Sequence, residues 1–113
     1  MLKKANRIRN NKDFDRIFKT GQSFYGRNLG LKVAPNKEKI NRVAILISAK
    51  VSRKAVERNK LRRQLRAIIS RELAKLKDNY DLLIIVFPPL LEKSFPDKEE
   101  LIRKALISLN LYK

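Results

Sequence analysis

The sequence predicts an α+β fold, one small sheet with helices packed against it. Leu61, Leu65, Ile68, Ile69, Leu73 and Leu76 recur at helical spacing through the middle of the chain. Short apolar runs stand before and after that stretch, at Val43–Ile47 and within Tyr80–Phe87. A shorter helical pattern closes each end. The order reads helix, two or three strands, helix, strand, helix.

Residues 1–10 are basic and polar and read as an arm. Asn10 or Asn11 can cap a short helix from Lys12 to Thr20 that ends at Gly21. Phe14, Ile17 and Phe18 fall on one face of it. Ser23–Arg27 is a weak strand candidate. In Leu29–Ala34, Leu29, Leu31 and Val33 alternate with Gly30 and Lys32, the pattern of a half-buried strand. Residues 35–39, Pro-Asn-Lys-Glu-Lys, make a turn. Ile40–Ser48 follows, apolar throughout Val43–Ile47 as in a central strand. A basic connection, Ala49–Lys54, leads into the long helix, expected from near Ala55 to Lys77. Asp78 and Asn79 break it. Tyr80–Phe87 is a short apolar strand ended by Pro88 and Pro89. Pro96 can take the first position of a last helix, with Asp97, Glu99 and Glu100 near its N-terminus. Leu101, Ile102, Ala105, Leu106 and Leu109 form its apolar side.

A chain of 113 residues fits one domain, 1–113, with room for one modest core. Its charge is the unusual feature: 28 Lys and Arg against 11 Asp and Glu, a net +17. Self-repulsion at that density works against a compact state, and a polyanionic partner is the simplest reason to tolerate it. With no Cys and no His, disulfides, Cys/His zinc sites and His-based triads are excluded. The longest apolar run, Leu82–Leu91, contains two prolines and is too short to cross a bilayer. The chain therefore reads as a soluble, cytoplasmic protein with no membrane partner.

The segment 50–66 carries Lys50, Arg53, Lys54, Arg58, Lys60, Arg62, Arg63 and Arg66 against one acid, Glu57. On a helix Asn59, Arg62, Arg63 and Arg66 share one sector, to one side of the leucine and isoleucine stripe. One side can pack on a sheet while its flank presents guanidinium groups. Arginine grips phosphate oxygens bidentately and stacks on bases, and the Asn59 amide adds a donor and an acceptor. The cluster also sits at the positive end of the helix dipole, where repulsion is unfavourable unless an anion binds. A solvated charged face would need more internal pairing than one acid supplies.

Phe14 and Phe18 are one helical turn apart, and an isolated pair of this kind is more often core. The alternative is a platform for unpaired bases, with Lys12, Arg16, Lys19 and Arg27 attracting phosphate. Gly30, inside a strand, would open room for close approach.

The stretch Arg58-Asn59-Lys60-Leu61-Arg62-Arg63-Gln64-Leu65-Arg66 resembles the signature helix of the protein subunit of bacterial ribonuclease P. The flanks agree: Asp13-Phe14 with Ile17-Phe18 and Gly21, then Arg42 with Ile47-Ser48 and Lys50, then Tyr80-Asp81. The likeness covers nearly the whole chain.

The resemblance implies a two-layer sandwich of the ribosomal protein S5 domain 2 type. It has a mixed sheet of about four strands and a left-handed strand–helix–strand crossover, against the general right-handed rule. It implies a non-catalytic subunit that binds the catalytic RNA and the 5′ leader of precursor tRNA, and no DNA. The RNA carries out leader removal with Mg²⁺; the protein alone holds no cofactor. Arg58, Asn59, Lys60, Arg62, Arg63 and Arg66 would face the catalytic RNA, extended by Lys50, Arg53 and Lys54. Phe14 and Phe18, with Arg27, Lys32 and Ser48, would line the leader cleft. This chain departs from the pattern at three places. Lys60 replaces the second Arg of the signature, Lys32 stands where some members place a cleft aromatic, and Phe87 stands where a basic residue is common.

Three rivals differ in what they require. A ribosomal-type structural protein shares the basic helix and the fold. A stand-alone nuclease needs clustered acids for two metals, yet Asp13, Asp15 and Glu57 are the only acids near the basic surface. A helix-turn-helix DNA binder needs a paired short helix before the basic one, which the pattern lacks.

Overall fold

The computed structural model describes residues 6–8 and 10–113. In chain order the elements are α1 (Asn11–Thr20), β1 (Gln22–Tyr25), β2 (Leu29–Pro35), β3 (Arg42–Leu46), α2 (Ala55–Glu72), β4 (Tyr80–Val86) and α3 (Phe95–Ser108). The strands form one mixed sheet in the order β1-β2-β4-β3. β2 pairs antiparallel with both β1 and β4, while β3 runs parallel to β4 and reaches it through α2.

The alternation of each strand sorts its side chains between two faces. Leu29, Leu31, Val33, Val43, Leu82, Ile84 and Val86 meet Leu61, Leu65, Ile68 and Ile69 of α2, with Ile102 and Leu106 of α3, in the main core. Ala34 and Leu83 point to the other face and pack with Ile17 of α1, Ile8 and, partly buried, Phe14. Two helices thus cover one layer face of the sheet, and α1 crosses part of the other.

Local chemistry explains the helix ends. The Asn10 side chain accepts a 2.9 Å bond from the Lys12 amide and opens α1. The Ser94 hydroxyl accepts from the Asp97 amide at 3.2 Å and opens α3, with Pro96 in its first turn. Asn79 adopts φ 72°, a left-handed conformation that Asn tolerates, where the chain turns into β4.

Several expectations change. β4, not β3, is central, and β3 is an edge strand with Leu46 exposed. The two apolar runs look alike, and the pairing of β2 with β4 decides between them. β2 is buried on both faces rather than half-buried, with Gly30 and Ala34 both enclosed. Of the expected arm, residues 1–5 and 9 lie outside the described residues. Arg7 bridges Val43 beside the β3 edge, the Ile8 amide donates to the Val43 carbonyl at 3.0 Å, and Ile8 is buried. That part is packed structure, because an edge strand offers free backbone groups. Gly21 ends α1 with φ −74°, in extended rather than left-handed backbone. A short 3-10 helix, Pro88–Glu92, follows β4 where only a stop was expected.

Candidate nucleic-acid interface

α2 divides as its periodicity predicts. Leu61, Leu65, Ile68 and Ile69 are buried, Asn59, Lys60 and Arg63 are exposed, and Arg58, Arg62 and Arg66 are half-buried. Arg62 donates to the Asn59 side-chain oxygen at 3.1 Å, which aligns the two across one turn. Arg58 donates to the Ser52 carbonyl at 2.8 Å, tying the first turn to the loop before it. Lys50, Arg53 and Lys54 are exposed in that loop. Among the described residues no carboxylate forms an ion pair with any of these cations; Glu57, the acid in their midst, accepts from the Ser52 hydroxyl instead. Burial, and then the like charges of Arg7 and Arg62, push Arg66 below the ordinary arginine value. Cations crowded this closely favour an anion among them.

Arg66 also joins this surface to a second one. A cleft of about 280 Å³ opens between α1 and the β3 edge, lined by Phe14, Arg7, Ile8, Ala44, Leu46 and Arg66 among others. Phe14 is half-buried against Ile8 and Ile17, so it is both core and cleft wall. Phe18, one turn on, is 47% exposed.

Lys32 projects from β2 on the same face as Ala34. Its ammonium donates to the Ser23 hydroxyl at 2.9 Å and lies 5.5 Å from the centre of the Phe18 ring. It is also 5.7 Å from the centre of the Tyr25 ring. Arg27 is exposed in the turn after β1, and Ser48 is exposed after β3, where its hydroxyl accepts from the Lys50 amide at 3.3 Å. Among the described residues no hydrogen bond or ring contact joins Arg27 or Ser48 to Phe14 or Phe18.

α1 is fastened to the sheet by ions. Asp81, fully buried on β4, accepts from Arg42 Nε and Nη2, each at 2.8 Å, and from Asn36 Nδ2 at 2.8 Å. Arg16 of α1 donates to the same carboxylate, and Asp13 lies 3.3 Å from Arg42. Burial alone would raise the Asp81 pKa. The hydrogen bonds from Arg42 and Asn36 and the charges of Arg42 and Arg16 outweigh it and hold the carboxylate below its ordinary value.

Sequence reasoning gave Tyr25 and Arg7 no role, and it read Arg16 as a phosphate contact where the structure ties it, with Arg42, to Asp81. The face that Tyr25 occupies depends on the β1–β2 register, which a four-residue strand does not announce. Arg42 and Asp81 are 39 positions apart and become neighbours only in the parallel ladder. The one available signal was an acid at the second position of an apolar strand, which at full burial demands a cationic partner.

A model of the ribonuclease P family matches residues 2–110. The ribonuclease P protein component of Pseudanabaena is 38% identical over 87 residues, 76% of this chain and 75% of that protein. The ribonuclease P protein component of Clostridium botulinum strain Loch Maree is 33% identical over 110 residues, 96% of this chain and 98% of that one. The structure of the Staphylococcus aureus RNase P protein superposes with a TM-score of 0.88 at 27% identity, covering 97% of this chain and 100% of that one. The Thermotoga maritima RNase P protein gives 0.73 at 28% identity, covering 91% and 93%.

Proposed function

The chain belongs to the ribonuclease P protein family, and from that premise we propose that it grips the catalytic RNA with α2 and the 5′ leader of precursor tRNA with the α1–sheet cleft. As the protein component it is the non-catalytic partner of ribonuclease P RNA in the ribonucleoprotein that matures the tRNA 5′ end.

One observation carries the proposal: Asn59, Arg62, Arg63 and Arg66 stand on one flank of α2, unpaired with any carboxylate among the described residues, while the helix's apolar face is spent on the core. Guanidinium forks there neutralise phosphates of the folded RNA. Lys50, Arg53, Lys54, Arg58 and Lys60 extend the same surface. Arg66 then links it to the cleft, so RNA docking and leader capture lie side by side. In the cleft, Phe14 and Phe18 offer ring faces to unpaired bases, and Lys32 offers charge to the phosphate. We assign Arg27 and Ser48, both exposed, to further contacts with the leader.

The protein contributes position and charge. Holding the leader fixes the scissile phosphate relative to the RNA, and each phosphate neutralised lowers the demand for free cations. Mg²⁺ we assign to the RNA, and to the protein the positioning of both RNA partners. No helix among the described residues is long and apolar enough to cross a membrane. Because its substrate is precursor tRNA, we assign the particle to the cytoplasm.

The test adds the protein to a ribonuclease P RNA at low Mg²⁺ and follows 5′ maturation of precursor tRNA. Stimulation is expected, and more of it on substrates with a leader. Absence of stimulation, together with stable association with ribosomal RNA, would favour the ribosomal-type alternative.

A further inference from the structure

Of the five Phe and three Tyr residues, only Phe18 and Tyr25 are exposed, at 47% and 57%. They come from different elements, α1 and β1, yet both flank the same ammonium group, that of Lys32. Large rings left in water beside a cation invite a ligand with flat faces and negative charge.

The backbone is arranged to keep Tyr25 there. Tyr25 and Gly30 are partners in the β1–β2 ladder. A Cβ at Gly30 would stand 2.8 Å and 3.0 Å from two atoms of the Tyr25 ring and 3.6 Å from Phe87. The ring therefore lies across the strand on ground that only glycine leaves free, with Phe87 beside it. The Phe87 ring borders the same gap. Lys32 is held between the rings by one bond, to Ser23, and an ammonium has three donors. Ring contact does not neutralise its charge, and no carboxylate pairs with it among the described residues.

We propose that Tyr25, Lys32 and Phe18 form a subsite for two successive unpaired nucleotides. One base stacks on Tyr25, its neighbour stacks on Phe18, and the phosphate between them takes the free donors of Lys32. The inference rests on the leader-cleft reading and adds β1 to it. The second ring comes from the neighbouring strand, and the lysine is the phosphate anchor between two platforms. Stacking of this kind tolerates any base, so the subsite reads unpaired character rather than sequence.

The experiment uses particles of the full chain with ribonuclease P RNA. It measures their affinity for precursor tRNAs whose leaders carry one abasic nucleotide at each position in turn. Each affinity is referred to that of the same particle for tRNA without a leader. With the wild-type chain, two adjacent leader positions should each lose about fivefold or more when made abasic. Tyr25→Ala should abolish the sensitivity at one of them and Phe18→Ala at the other. Tyr25→Phe should keep both, and Gly30→Ala, which lifts the ring, should reproduce Tyr25→Ala. If Tyr25→Ala leaves the abasic profile unchanged while Phe18→Ala alters it, the cleft stands and the subsite is wrong. Sensitive positions that are not adjacent would overturn the dinucleotide spacing. A flat profile in every particle would remove the cleft reading and this inference together.

Discussion

Asp81 and Arg42 face each other across the parallel β3–β4 ladder and share two 2.8 Å hydrogen bonds, Nε to Oδ1 and Nη2 to Oδ2. The carboxylate is wholly buried, and Arg16 brings α1 onto it. The pair therefore sets where α1, and with it Phe14 and Phe18, sits on the sheet.

Replacing Asp81 by Ala leaves the largely buried Arg42 with Asp13, at 3.3 Å, as its one remaining acid among the described residues. Breaking a buried pair in this way costs about 3 kcal/mol or more. The urea midpoint should fall accordingly. Leader-dependent affinity should fall further than RNA affinity, since α2 is anchored elsewhere. Equal losses in both would show that the cluster does not act through α1.

Acid should destabilise the fold through two carboxylates. Asp81 is held below its ordinary 3.8. For Glu72, burial would raise the value, but the Tyr112 hydroxyl and Lys75 bonds, with the charges of Lys75 and Arg103, hold it below 4.5. Both folded values lie under the unfolded ones. Their stabilisation is thus complete above about pH 5 and is lost as pH falls through the folded values. Urea midpoints measured from neutrality downward should stay level to about pH 5 and then drop. Glu72→Gln should flatten the drop, and an unchanged slope in that variant would contradict the assignment.

Gly21→Ala should be costly for a reason of space. The new Cβ would stand 2.5 Å from the Ile17 carbonyl oxygen and 2.9 Å from that of Val33, both backbone atoms. Strain of this kind costs about 2 kcal/mol, readable in thermal unfolding. A neutral result would mean that α1 can shift off β2 at no cost.

Arg63→Ala removes an exposed cation from α2. Its stability should change by less than about 0.5 kcal/mol. The salt slope for RNA binding should fall by about 0.9 if the contact is to duplex phosphate. Unaltered salt dependence would take Arg63 out of the interface.

Lys98 is buried in α3, and its ammonium makes a 2.7 Å bond to the Gln64 side-chain oxygen with no ion pair to a carboxylate among the described residues. Burial, and then the charge of Lys60, hold its pKa below the ordinary 10.5. A base whose folded value is depressed opposes folding while protonated, and stability rises as pH climbs from the folded value to the unfolded one. Lys98→Met should therefore raise stability near neutrality, by about 1 kcal/mol. A loss would show that the bond to Gln64 outweighs desolvation.

How much of this was legible depends on the range over which each feature is encoded. α2 and its arginine flank were legible because helical geometry turns spacing directly into direction. The caps at Asn10 and Ser94 are equally local, although Ser94 was not singled out. The cleft was legible only in part. Phe14 and Phe18 could be placed on one face, but nothing local says that Phe14 is half core while Phe18 is left in water.

The sequence by itself determined the order of elements, the +17 charge that calls for a polyanion, and the division of α2 between an apolar face and a flank of cations. Tertiary structure alone decided that β4 is central, that Asp81 clasps Arg42 and Arg16, and that Tyr25 lies over Gly30 beside Lys32. Strand pairing is the physical reason: two apolar runs are interchangeable until hydrogen-bond register chooses their neighbours, and that choice joins residues distant along the chain.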